Sequence, residues 1–163
     1  MPVPALLRPA TSADLGPVMR LIRALAEFEA LPGPDAGAEA RFHADFTATP
    51  PRFELEVAER DGEIIAYALY FMTYSTFLAR PSLYLEDLFV HPAHRSQGIG
   101  EALLRRLAAR AVERGCGRFE WTVLDWNISA QEFYRRLGAR LLPEWRVCRM
   151  DGEALSRLTA SVG

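Results

Sequence analysis

Apolar positions in this chain recur with two periods, and the switches between them divide it into helices and strands. Val3 to Arg8 is a short apolar run that predicts a first strand. Leu15, Val18, Met19, Ile22, Leu25 and Ala26 then recur at helical spacing behind the candidate caps Thr11, Ser12 and Asp14. That helix stops at Leu31-Pro32-Gly33-Pro34-Asp35. A weaker helical pattern covers Ala36 to Ala48, with Phe42 and Phe46 four apart, and closes at Thr49-Pro50-Pro51.

Phe53 to Arg60 alternates as a strand does, Asp61-Gly62 is a hairpin turn, and Ile64 to Tyr74 returns as a long apolar strand. Leu83 to Val90 follows and is expected to pair with that hairpin. Leu103, Leu104, Leu107, Ala108, Ala111 and Val112 predict a helix stopped by Gly115, with Arg105, Arg106, Arg110 and Arg114 on a solvated face. Arg118 to Leu124 reads as a strand, and a helix ending near Leu137-Gly138 follows Asp125-Trp126-Asn127. Trp145 to Met150 reads as a last strand and Asp151 to Thr159 as a short helix or tail. The order β-α-α-β-β-β-α-β-α-β is a mixed α+β arrangement without strict βαβ alternation.

With 163 residues, half of them hydrophobic, the chain is expected to form one domain over residues 1–163. A net charge of −2 without a basic run argues against a nucleic-acid partner. No apolar stretch approaches a membrane span and the N-terminus does not resemble a signal peptide, so a cytoplasmic protein without a membrane partner is expected. Cys116 and Cys148 form no CxxC pair, and His43, His91 and His94 form no metal set, so no metal is expected. All 19 basic residues are arginine, which leaves no internal lysine as a nucleophile.

The densest chemistry lies in LEDLFVHPAHRSQGIG, Leu85 to Gly100, where a strand delivers a glycine loop to a helix start. First-turn N–H groups and the helix dipole make such a junction an anion site. A P-loop would need a lysine, and a dinucleotide fingerprint would need Gly or Ala at Leu103; neither is present. What remains is a short Arg-x-x-Gly-x-Gly loop for a pyrophosphate, Arg95 to Gly100.

In this setting the loop resembles the acetyl-CoA pyrophosphate loop of the GNAT N-acetyltransferase superfamily. LYLEDLFV before it, VLDWN and FYRRLGA after it, and LRPAT with ADL near the N-terminus are similar to the diamine and thialysine acetyltransferase branch. The resemblance runs from Leu7 to Leu158, with poor agreement between Leu31 and Phe53. It implies a mixed, mostly antiparallel sheet flanked by helices on both faces, acetyl-CoA as co-substrate, a small-molecule amine as partner, and a homodimer.

The resemblance also implies residue roles. Backbone groups of Leu88, Phe89 and Val90 would bind the pantetheine arm. Backbone N–H groups of Arg95, Ser96, Gln97, Gly98, Ile99, Gly100 and Glu101 would hold the pyrophosphate. Asn127 and Arg136 would contact the cofactor, although an Asn before a helix is also a common N-cap and Arg136 a common surface residue. Tyr134 would protonate or hydrogen-bond the departing thiolate; a phenol is a neutral donor at pH 7.

An alkylammonium must lose a proton before it attacks. Glu86 and Asp87 occupy adjacent strand positions, so alternation puts one of them into the cleft, and the resemblance selects Glu86, acting through water. Phe28, Glu29 and Glu144 match positions lining the amine pocket. Ser75 and Phe77 stand where the polyamine enzymes carry an acid and a Trp, which favours a thialysine-like amino acid over a di- or polyamine. The competing classes are a peptide or protein N-acetyltransferase and a non-catalytic acetyl-CoA-binding module.

Overall fold

The computed structural model describes residues 4–160. It forms two compact units, Met1–Thr122 and Val123–Gly163. In the first, five strands lie in sequence order in one sheet: β1 (Leu6–Pro9), β2 (Glu54–Arg60), β3 (Glu63–Ser75), β4 (Arg80–Val90) and β5 (Arg118–Glu120). The first four are antiparallel neighbours and β5 joins β4 in parallel. Helices α1 (Leu15–Glu29), α2 (Ala38–Thr47) and α3 (Ile99–Glu113) complete the unit. The mixed, mostly antiparallel sheet flanked by helices is the expected one.

Strand alternation sorts the core. Leu55, Val57, Tyr67 and Leu69 pack with Leu15, Val18 and Leu21 of α1, and Phe42 and Phe46 of α2 close the edge of that cluster beside Phe53. Ala58 and Ala66 on the other face pack with Ile99 and Leu103 of α3. A turn of 3-10 helix, Ser12–Asp14, precedes α1. Asp14 accepts from the Thr11 N–H at 2.7 Å and from Arg8 at 2.7 and 2.9 Å, tying the helix start to β1. The Arg8 guanidinium holds the Asp14 carboxyl down at about 2.

Three expectations are corrected. The arginine face of α3 is not simply solvated. Arg106 Nε donates to Glu56 Oε2 at 2.7 Å, Arg110 Nη2 lies 2.8 Å from Glu56 Oε1 but off the hydrogen-bonding direction, and Arg114 Nη2 donates to Glu54 at 2.8 Å. Glu56 is 1% exposed. The spacing explains the match: four helical residues advance about 6 Å and two strand residues about 6.8 Å. Arg105, by contrast, is exposed and pairs along the helix with Glu101.

The strand expected over Arg118 to Leu124 ends at Glu120. The last strand expected over Trp145 to Met150 is absent; residues 139–150 carry no strand. In the second unit α4 (Ile128–Arg136) and α5 (Gly152–Ala160) are the regular elements. Val3 of the expected first strand lies outside the described residues.

Candidate active site

The junction between β4 and α3 is built to leave backbone donors open. His91 N–H extends the sheet to Ile65 O at 2.9 Å, and a 3-10 turn, Pro92–His94, follows. Arg95 folds back, its Nε donating to Val90 O at 3.0 Å, with its guanidinium 4.9 Å from the Phe28 ring centroid and 5.2 Å from that of Phe89. The chain then turns through left-handed backbone at Ser96 (φ 60°) and Gly98 (φ 77°). A side chain at position 98 would meet no atom, so the need for glycine there is conformational.

The first helical bond in α3 is Ala102 N–H to Gly98 O at 2.9 Å. Among the described residues, no hydrogen bond uses the N–H groups of Ser96, Gln97, Gly98, Ile99, Gly100 or Glu101. Six consecutive open donors at a helix start suit a diphosphate.

The strand before the loop is open as well. Pairing between β4 and β5 covers Ser82–Tyr84 and Arg118–Glu120 and stops there. From Leu88 to Val90 the recorded partners are on β3, Ala68 to Ala66. An extended, amide-containing arm can add along the other edge of β4.

The carboxylates of β4 depart from simple alternation. Leu69 stands opposite Asp87 and Tyr70 opposite Leu85, so Glu86 is the extra residue of a β-bulge. That bulge interrupts the simple alternation on which the expectation of opposite-facing Glu86 and Asp87 rested, and the charge of Glu86 acts on Asp87. Glu86 is exposed, whereas Asp87 is half-buried and accepts from Tyr67 Oη at 3.2 Å.

Burial, then the charge of Glu86, pushes Asp87 up to about 6; Glu29 adds to the rise and the Tyr67 hydrogen bond opposes it. Burial raises Glu29 as well. Fully buried Tyr67 is pushed far above the usual phenol range by burial and by Asp87. Glu29, Glu86 and Asp87 thus share one neighbourhood, beside Phe28 and Arg95. Among the described residues none of the three carboxylates has an arginine in ion-pair range. Such a site can attract a cation and accept a proton.

Asp87, the carboxylate set aside in favour of Glu86, and Tyr67, which no sequence motif marks, are joined at this site. Their link is a diagonal across the β3–β4 ladder, where Tyr67 faces Phe89. The Glu86-Asp87 pair was a signal that something cationic is served there; the register that brings in Tyr67 was not readable.

In the second unit, Asn127 caps α4, its Oδ1 accepting from Ala130 N–H at 3.2 Å. Buried Gln131 ties α4 to the preceding loop by donating to Leu124 O at 3.2 Å and Asp125 O at 3.0 Å. Tyr134 is half-buried on α4, with its ring 5.4 Å from Phe133. Arg136, the last residue of α4, is exposed, and so is Glu144 in the irregular stretch beyond.

Comparison with known proteins places this architecture. Residues 19–139 match the model of the acetyltransferase (GNAT) family. The chain is 40% identical to a thialysine N-epsilon-acetyltransferase of Sus scrofa, over 94% of this chain and 96% of that one. It is 42% identical over 98 residues to an L-ornithine N5-acetyltransferase of Arabidopsis thaliana, covering 60% of this chain and 43% of the other. A solved integron cassette protein from the V. cholerae mobile metagenome shares the fold with a TM-score of 0.82, at 23% identity and 98% and 99% coverage.

Proposed function

The chain belongs to the acetyltransferase (GNAT) family, and on that premise we propose that it moves the acetyl group of acetyl-CoA directly to the side-chain amine of a small amino acid. A thialysine-like acceptor ranks ahead of a di- or polyamine. The single observation carrying this reading is the 40% identity over nearly the whole of a thialysine N-epsilon-acetyltransferase. The ornithine-acetylating relative supports the same class, a small amino acid with a primary amine at the end of its side chain. The match over residues 19–139 runs across both compact units and supports treating them as one acetyltransferase domain.

Acetyl-CoA, when bound, supplies an activated thioester. Its pyrophosphate suits the open N–H groups from Ser96 to Glu101, the N–H expected from Arg95 being taken by Pro92 O at 3.3 Å, and its pantetheine arm suits the free edge of β4 at Leu88, Phe89 and Val90. Asn127 and Arg136 hold the cofactor. Glu86, with Phe28, Glu29 and Glu144, receives the substrate ammonium. Glu86 then takes one proton from the amine through water, and Tyr134 gives its phenolic proton, or a hydrogen bond, to the thiolate sulfur. The reading includes a homodimer, carried by the motif resemblance, and a cytoplasmic setting, in keeping with two unpaired cysteines. Among the described residues no helix is long and apolar enough to cross a membrane.

The test is CoA-thiol release from acetyl-CoA over thialysine, ornithine, lysine, spermidine, a diamine and a lysine-containing peptide. Turnover highest with the small amino acids is expected. Turnover on the peptide alone, or on nothing although acetyl-CoA binds, overturns the reading.

A further inference from the structure

The loop that opens α3 is held from two sides. Arg95 anchors it toward α1, against Phe28. On the other side stands Arg60, the last residue of β2 and outside the Arg-x-x-Gly-x-Gly pattern. Its Nη1 donates to Gln97 Oε1 at 2.7 Å and lies 3.4 Å from His94 Nδ1. Two loop side chains therefore fix where the guanidinium sits.

Among the described residues the charge of Arg60 has no counter-ion of its own. No ion pair among the described residues includes it, and its Nε is buried without a hydrogen-bond partner. The preceding carboxylate, Glu59, is already engaged by Arg8 at 2.7 Å. The arginines Arg106, Arg110 and Arg114 of α3 each have a glutamate. A half-buried cation left uncompensated is costly, and an anion bound beside it removes that cost. Gln97, which Arg60 holds, belongs to the run of open N–H groups.

We propose that Arg60 is a further cofactor-binding residue, whose guanidinium, aimed by Gln97 and His94, makes a charge-assisted contact with a phosphate of acetyl-CoA. The proposal rests on reading the loop as the acetyl-CoA site. Both the pyrophosphate and the ribose 3′-phosphate offer this chemistry, and a cofactor lacking the 3′-phosphate separates them.

The experiment compares wild type, Arg60→Gln and Arg60→Lys. Calorimetry gives Kd for acetyl-CoA and 3′-dephospho-acetyl-CoA at two salt concentrations; kinetics gives kcat/KM for acetyl-pantetheine, which lacks the nucleotide. Arg60→Gln is expected to weaken acetyl-CoA binding roughly tenfold or more and to flatten its salt dependence. Its kcat/KM with acetyl-pantetheine should stay at the wild-type value, a result that a merely structural role would not give. Arg60→Lys, which keeps the charge and loses the fork, should fall between. A loss that vanishes with the dephospho-cofactor assigns the contact to the 3′-phosphate, and a loss that persists assigns it to the pyrophosphate. Unchanged Kd in Arg60→Gln, or equal losses with acetyl-CoA and acetyl-pantetheine, overturns the proposal while leaving the loop's assignment intact. Failure of wild type to bind acetyl-CoA overturns both.

Discussion

Two pairs of carboxylates lie on this sheet and are treated in opposite ways. Glu54 and Glu56 of β2 face α3, and each meets arginine: Arg114 for the first, Arg106 and Arg110 for the second. Glu86 and Asp87 of β4 sit at a bulge with Glu29 nearby and no arginine in range among the described residues. One cluster is neutralised within the chain and serves the fold. The other is left without an arginine, with Asp87 pushed up by burial and then by the charge of Glu86, and so is prepared for a cation that arrives from outside. Residue type does not separate the two; pairing does.

The largest expected difference is in stability. Glu56→Ala strands the half-buried guanidinium of Arg106, leaves Arg110 with Tyr70 Oη at 2.7 Å and Glu54 at 3.6 Å, and should cost about 3 kcal/mol in denaturant unfolding. Glu86→Gln, at an exposed position, should change the same measurement by less than about 0.5 kcal/mol. Equal losses from both would remove the distinction between structural and functional carboxylates.

A smaller effect, dependent on pH, sharpens it. Asp87 titrates near 6 in the folded protein, above the ordinary carboxylate range, because burial, Glu86 and Glu29 outweigh the Tyr67 hydrogen bond. A raised carboxyl contributes stability that is complete below about pH 4 and lost as pH rises through about 6. Asp87→Asn, which retains a group for Tyr67, should therefore match wild type at pH 4. At pH 8 it should be more stable by on the order of 1 kcal/mol. Thermal unfolding at the two pH values measures this, and a constant difference would show that Asp87 carries no such strain.

Much of this was legible in the sequence where period and punctuation agree. The helix of Leu15, Val18 and Met19, the Asp61-Gly62 hairpin and the Arg95 to Gly100 loop all lie where their patterns put them. Partner-dependent features were not legible. Arg106, Arg110 and Arg114 look like a solvated face until β2 brings Glu54 and Glu56 against them. The bulge at Glu86 is a count of two residues against one on β3, and nothing within the strand itself records it. Trp145 to Met150 has the alternation of a strand, but alternation shows only that a segment could pair; no ladder forms there. Arg60 reads as an ordinary strand end until Gln97 comes within 2.7 Å.

The measurement closest to the central claim is steady-state CoA-thiol release with thialysine and acetyl-CoA, for wild type and Glu86→Gln, from pH 6 to pH 10, beside the Kd for acetyl-CoA. If the carboxylates left unpaired on β4 serve the amine, Glu86→Gln lowers kcat/KM for thialysine about 10²-fold or more at neutral pH. The deficit should narrow as rising pH deprotonates the amine, with the acetyl-CoA Kd unchanged. Full wild-type kcat/KM in Glu86→Gln across that range would contradict the account.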